Sequence, residues 1–146
     1  MLHLTIRAPL VLLILLFCGA VFADDKAAQT NYMLHCQGCH TPDGAGAPGK
    51  VPSLKGFMGY FLHVKGGREF LIQVPGAAQA SLSDVELAEL TNWMLHNFSR
   101  AELPVDFRPY ASEEVGRLRK NTLIRVTQVR AELLLKMADV GIEVAP

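Results

Sequence analysis

Cysteine is scarce in this chain: 146 residues carry three, at positions 18, 36 and 39. A structural zinc site needs four ligands, and no second cysteine pair stands ready to complete one. His35, His63 and His96 do not help, because they are scattered rather than paired at ligand spacing. Net charge is also missing, with 14 Lys+Arg against 14 Asp+Glu, so charge gives no footprint for nucleic acid. No internal repeat or low-complexity tract interrupts the sequence. Nor does a βαβ pattern surround Cys36, which argues against a thioredoxin-like redox pair there. Length and a hydrophobic content of half the residues indicate one compact domain.

Long apolar runs are likewise few. The unbroken one, Leu10 to Phe17, is shorter than the roughly 20 residues a membrane span requires. His3 and Arg7 precede it, and Val21-Phe22-Ala23 places small residues at the two positions a signal peptidase reads. The expectation is a signal peptide over 1–23 and a mature chain starting at Asp24, with an uncleaved N-terminal anchor as the alternative. A lipidated Cys18 fits less well, since bulky Phe17 stands before it.

What is present is concentrated in residues 36–40, CQGCH. Once the leader and Cys18 are removed, Cys36 and Cys39 are the mature chain's two thiols. In an oxidising compartment a free C-x-x-C tends to close on itself unless something else takes both sulfurs. Covalent haem takes both: two thiols spaced by two residues form thioethers on one edge of the porphyrin, and the next histidine is placed under the iron. Cys36 and Cys39 are therefore expected to carry the thioethers and His40 to be the proximal ligand.

The flanks strengthen this. Ala28 and Tyr32 stand eight and four residues ahead of Cys36 on one helical face. After the motif, TPDGAGAPGKV is too rich in Gly and Pro for a regular helix, and Pro52 follows His40 by twelve residues. SLSDVELAELTNWML then sets Ser83 as an N-cap with Glu86 completing a capping box. Val85, Leu87, Leu90, Trp93 and Met94 supply that helix's hydrophobic face. With these landmarks, the stretch from about Lys26 to Phe98 resembles a class I, monohaem c-type cytochrome. The resemblance implies an all-α, cytochrome c-like haem domain over 24–100, one covalent haem c with its iron, and single-electron transfer. It also implies that the Pro52 carbonyl accepts a hydrogen bond from the ring N–H of His40, and that Leu90 and Trp93 cross the Ala28/Tyr32 face.

One position departs from the family. Where a methionine is expected ahead of the last helix, this chain reads Gln73-Val74-Pro75-Gly76, and Val74 cannot bind iron. Met58 in GFMGYF is the first candidate for the distal ligand because its glycine-flanked segment can present a thioether. His63 comes next, then Met94, and an open sixth position is a further alternative. The outcome matters: thioether ligation raises the potential, bis-imidazole ligation lowers it, and an open site binds small ligands.

Arg68 follows Gly66-Gly67 and is expected at a haem propionate, where a planar guanidinium suits bidentate contact; the alternative is a solvated surface charge. Beyond Phe98, residues 101–146 form a C-terminal helical extension. Its connector holds Pro104, Phe107, Pro109 and Tyr110, and a short helix capped by Ser112 is expected to run to about Lys120. A second helix is expected from Thr122 to Ala138, with Leu123, Val126, Val129, Leu133 and Met137 on one stripe. Arg117, Arg119, Lys120, Arg125, Arg130 and Lys136 face the single acid Glu132 across 117–136, so the extension is locally basic. Packing over the haem domain is the expected role, with docking to an acidic redox partner or an anionic membrane compatible with it. The sequence thus points to an exported electron carrier between periplasmic redox proteins, such as a dehydrogenase or oxidase. The alternatives are a haem enzyme or gas/redox sensor with an open iron, and a structural subunit of a larger assembly.

Overall fold

The computed structural model describes residues 20–143. The apolar run Leu10–Phe17, Cys18 and the basic start of the expected leader lie outside the described residues. The chain forms α1 (Ala20–His35), one helical turn α2 (Gln37–His40), a 3-10 segment (Met58–His63), α3 (Gly67–Gln73) and α4 (Pro75–Ala78). There follow α5 (Asp84–Phe98), a 3-10 turn (Arg100–Glu102), α6 (Ser112–Leu118) and α7 (Val126–Asp139). The fold is all-α; among the described residues, β pairing is confined to one isolated bridge between Ala47 and Val51. No helix of the described residues is long and apolar enough to cross a membrane.

The frame is the crossing of α1 with α5. Ala28 and Tyr32 are buried on α1 and Leu90 on α5, and the Tyr32 ring lies 5.6 Å from that of Trp93 and 4.9 Å from that of Phe98. Small Ala28 lets the two helices approach, and the tilted aromatic cluster fills the crossing. The start of α5 is fixed by the expected capping box: the Glu86 amide donates to the Ser83 hydroxyl, and the Ser83 amide donates to the Glu86 carboxylate. Leu87, Leu90 and Met94 face inward as the pattern requires, but Val85 is exposed, because the α-helical repeat puts it on the side of α5 opposite Leu87 and Met94.

The extension shares this core. Tyr110, Val115, Leu133 and Met137 are buried in the same hydrophobic cluster as Tyr32 and Leu90. The connector is joined to α5 by Asn92, whose side-chain amide donates to the Tyr110 carbonyl (3.0 Å) and whose amide oxygen accepts from the Tyr110 N–H (2.8 Å). Two boundaries differ from the sequence expectation. Ser112 is the first residue of α6, with Ala111 at the N-cap and no side-chain cap. The last helix begins at Val126 rather than Thr122, because the Leu123 amide donates outward to the Gln73 carbonyl (2.9 Å), which holds that stretch extended.

Candidate haem site

Tyr32 and Thr41 set the exit from the CQGCH turn. Thr41 has φ 64°, a left-handed conformation that a β-branched residue seldom adopts and that costs on the order of 1–3 kcal/mol. It is held there by the Tyr32 hydroxyl, which donates to the Thr41 carbonyl at 2.6 Å, and by the Thr41 hydroxyl donating to Asp43 at 2.8 Å. Burial pushes the Tyr32 phenol up to about 12, so it remains a donor. The chain therefore turns sharply after His40 and runs back beneath it. At Gly46 a Cβ would collide with the Val51 carbonyl, so this return is reserved for glycine.

The return brings Pro52 to His40. The imidazole Nδ1 lies 3.2 Å from the Pro52 carbonyl oxygen. A carbonyl can only accept, so Nδ1 carries the proton and Nε2 keeps a free lone pair. Desolvation holds the His40 pKa below its ordinary value, against the smaller opposing effect of the Pro52 bond, which favours the neutral, ligating form. Cys36 is half-buried and its thiol is pushed up to about 11, first by desolvation and then by Cys39; both thiols are free.

Cys36, Cys39, His40 and Pro52 line one cavity of about 370 Å³, within the range of cofactor sites. Its remaining wall is almost entirely carbon: Leu54, Phe57, Phe61, Phe70, Leu71, Val74, Leu87 and Leu90 among others, with Met58 and Met94 supplying two thioethers. An apolar slot flanked by two thiols and a neutral imidazole with a free nitrogen fits a flat, largely apolar macrocycle carrying iron. A second, open groove of about 500 Å³ between α1 and α5 is lined by polar side chains such as Glu89, Asn92 and Arg100 and includes none of the CQGCH residues.

Of the candidate distal ligands, Met58 and Met94 reach this cavity and are buried. His63 does not: it is exposed and its Nε2 lies 2.9 Å from the Glu102 carbonyl, with which it ties the 3-10 segment to the next turn. Met58 is positioned by Ser99, a buried hydroxyl that accepts from the Gly59 amide (2.8 Å) and donates to Glu102 (2.7 Å).

Arg68, expected at a propionate, is engaged elsewhere. Its guanidinium pairs with Glu114 at 2.6 Å and 2.7 Å, donates to the carbonyls of Arg108 and Pro109, and stacks 3.9 Å above the Tyr110 ring. Glu113 and Glu114 open α6, and bringing that helix against α3 gives Arg68 a carboxylate 46 residues away. The three residues missed by sequence reasoning are all on the extension. Val126 and Arg130 of α7 line the cavity. Arg119 donates to the carbonyls of Ala78 (3.1 Å), Ala80 (2.7 Å) and Leu82 (2.7 Å) and to Asp84 (3.0 Å), pinning the segment between Val74 and α5. The basic run of 117–136 contained both arginines without distinguishing them from solvated ones.

No protein-family model matches the chain. Two curated relatives do. Cytochrome c-552 of Thermus thermophilus is 33% identical over 131 residues, covering 76% of this chain and all of the relative. A second cytochrome c-552, from a named strain of the same organism, is 32% identical over 142 residues, covering 84% of this chain and 95% of the relative. Each share is larger than residues 1–100 of this chain, so the likeness reaches into the extension. An all-α frame built on one α1/α5 crossing, an apolar cavity closed by CQGCH, and these relatives lead to one assignment: the chain belongs to the class I c-type cytochromes, which carry electrons on one covalently bound haem c.

Proposed function

We propose that Cys36 and Cys39 hold the haem through thioethers, that His40 is the proximal iron ligand, and that Met58 is the distal one. The observation that carries this reading is the orientation of His40: its Nδ1–H is committed to the Pro52 carbonyl, so Nε2 is the nitrogen left for iron, on the wall shared with both cysteines. Haem, when bound, supplies one-electron redox chemistry. The chain's own residues do the rest. Phe57, Phe61, Phe70 and Leu87 keep water from the cavity, Pro52 fixes the imidazole plane and raises its donor strength, and Ser99 fixes the turn that carries Met58.

The chain is exported, on this reading, and passes single electrons between periplasmic redox partners. The short apolar leader with its Val21-Phe22-Ala23 end supports export. Exposed Met33 and Leu34, next to His35 and Cys36, offer an apolar contact beside the site, while the basic run on the extension supplies charge to steer an acidic partner. Pro52 shares the wall as an orienting group; Arg68, held by Glu114, is an extension anchor.

A second reading, a haem enzyme or ligand sensor with an open sixth position, draws on Val74: it lines the cavity at the place where the family carries methionine. Carbon monoxide separates the two. The visible spectrum of the reduced holoprotein is expected not to change on adding carbon monoxide, and that of Met58→Ala to change at once. A clear shift in the unsubstituted protein would replace the electron carrier with the open-site reading.

A further inference from the structure

Among the described residues, Arg130 is the one lysine or arginine on the wall of the haem cavity. It projects from α7, half-buried, with its guanidinium carbon 5.3 Å from the centre of the Phe57 ring. The ion pairs among the described residues are Lys55–Asp43, Arg68–Glu114 and Arg119–Asp84, so none of the described carboxylates pairs with Arg130. Its burial disfavours the cation, and the Phe57 face is the favourable contact the described residues offer it in place of a carboxylate. The other two extension-facing arginines show what compensation looks like here: Arg68 and Arg119 each make four hydrogen bonds to carboxylates and carbonyls.

A haem brings two propionate carboxylates into a cavity whose wall, Arg130 apart, is mostly carbon, with thiols, thioethers, imidazoles and the Ser53 hydroxyl. We propose that Arg130 pairs with a haem propionate, making α7 of the extension part of the cofactor site. The proposal rests on haem occupying the CQGCH cavity. A guanidinium offers a carboxylate two parallel N–H donors, and the Phe57 face beneath it keeps the planar group oriented. The pairing has a redox consequence. A cation beside the haem favours the state with one more electron, and its removal leaves the propionate charge unbalanced near the iron. The other titratable groups on the wall, His35, Cys36, Cys39 and His40, come from the end of α1, the residue that joins it to α2, and α2, so none of them replaces Arg130 from the α7 side.

The test is the reduction potential of Arg130→Gln and Arg130→Lys holoproteins at pH 8, where a carboxylate is fully ionised. Haem staining after denaturing electrophoresis first verifies that each variant carries covalent haem, which separates failure of the haem site from failure of the pairing. Opposite-charge partners shift ionisation equilibria about tenfold or more. Arg130→Gln is therefore expected to move the reduction equilibrium roughly tenfold toward the oxidised form, about 59 mV for one electron, and Arg130→Lys to recover most of that shift. An unchanged potential in Arg130→Gln, or an equal fall in both variants, overturns the proposal. The unsubstituted holoprotein gives a check that needs no variant. With 15N-labelled arginine, guanidinium bands are expected in the redox-induced infrared difference spectrum, and their absence overturns it too.

Discussion

Replacing Arg119 by methionine keeps most of its aliphatic volume and removes every donor. In the protein those donors reach three backbone carbonyls, of Ala78, Ala80 and Leu82, and the Asp84 carboxylate, while the side chain is 15% exposed. A hydrogen bond involving a charged group contributes about 1.5–3 kcal/mol net, which for three carbonyls sets an upper bound of roughly 9 kcal/mol. Water reaches part of the loop once the guanidinium is gone, and the three bonds share one donor group, so their losses do not add. The Asp84 carboxylate is about half exposed and contributes little. The expected loss is therefore about 2–4 kcal/mol. For a domain of this size 1 kcal/mol corresponds to about 3–5 °C, which gives a fall in Tm of roughly 6–20 °C. Thermal unfolding of the holoprotein followed by far-UV circular dichroism measures this directly. Arg119→Lys, a compact donor on a flexible stem, is expected to recover less than half. A fall of less than 3 °C in Arg119→Met would refute the clamp.

Two other perturbations follow from the same contacts. Ser99→Ala leaves the buried Gly59 amide without its acceptor, and is expected to cost about 1–3 kcal/mol in denaturant unfolding, with m unchanged. The Glu114 carboxyl is held below its ordinary value, chiefly by its hydrogen bonds from Arg68. Because its folded-state pKa is depressed, its stabilisation is complete above the usual carboxylate range and is lost as pH falls through the folded value. The Tm deficit of Glu114→Gln relative to the unsubstituted protein is thus expected to be largest near neutral pH and to shrink as pH drops toward 3. A deficit independent of pH would contradict the pairing.

The features legible in the sequence were the local ones. The CQGCH turn, the capping box at Ser83 and Glu86, and the shared face of Ala28 and Tyr32 all depend on spacings within about two helical turns, and each has its expected geometry. The bond between His40 and Pro52 was reachable only through the family resemblance, since nothing in the Gly- and Pro-rich loop fixes a path of twelve residues. Arg68 shows the limit. Its partner Glu114 belongs to a helix whose placement against α3 is a tertiary outcome, and a lone arginine after two glycines carries no sign of it. The same holds for Arg119 and Arg130: one meets a loop of carbonyls and the other the haem cavity, yet both read as members of one basic run. His63 was misjudged for a related reason, because the carbonyl that binds its ring lies in the turn beyond α5. The late start of α7 also has a distant cause, the Leu123 amide bonding to Gln73 in place of continuing a helix.

The central claim is that Cys36 and Cys39 bind one haem covalently, with His40 at the iron. The intact mass of the protein, purified under denaturing conditions from a host able to attach haem, tests it most directly. The expected mass is that of the polypeptide plus one haem, with the Cys36→Ala/Cys39→Ala double variant reduced to bare polypeptide. Bare polypeptide from the unsubstituted chain, or haem still attached in the double variant, would contradict the account.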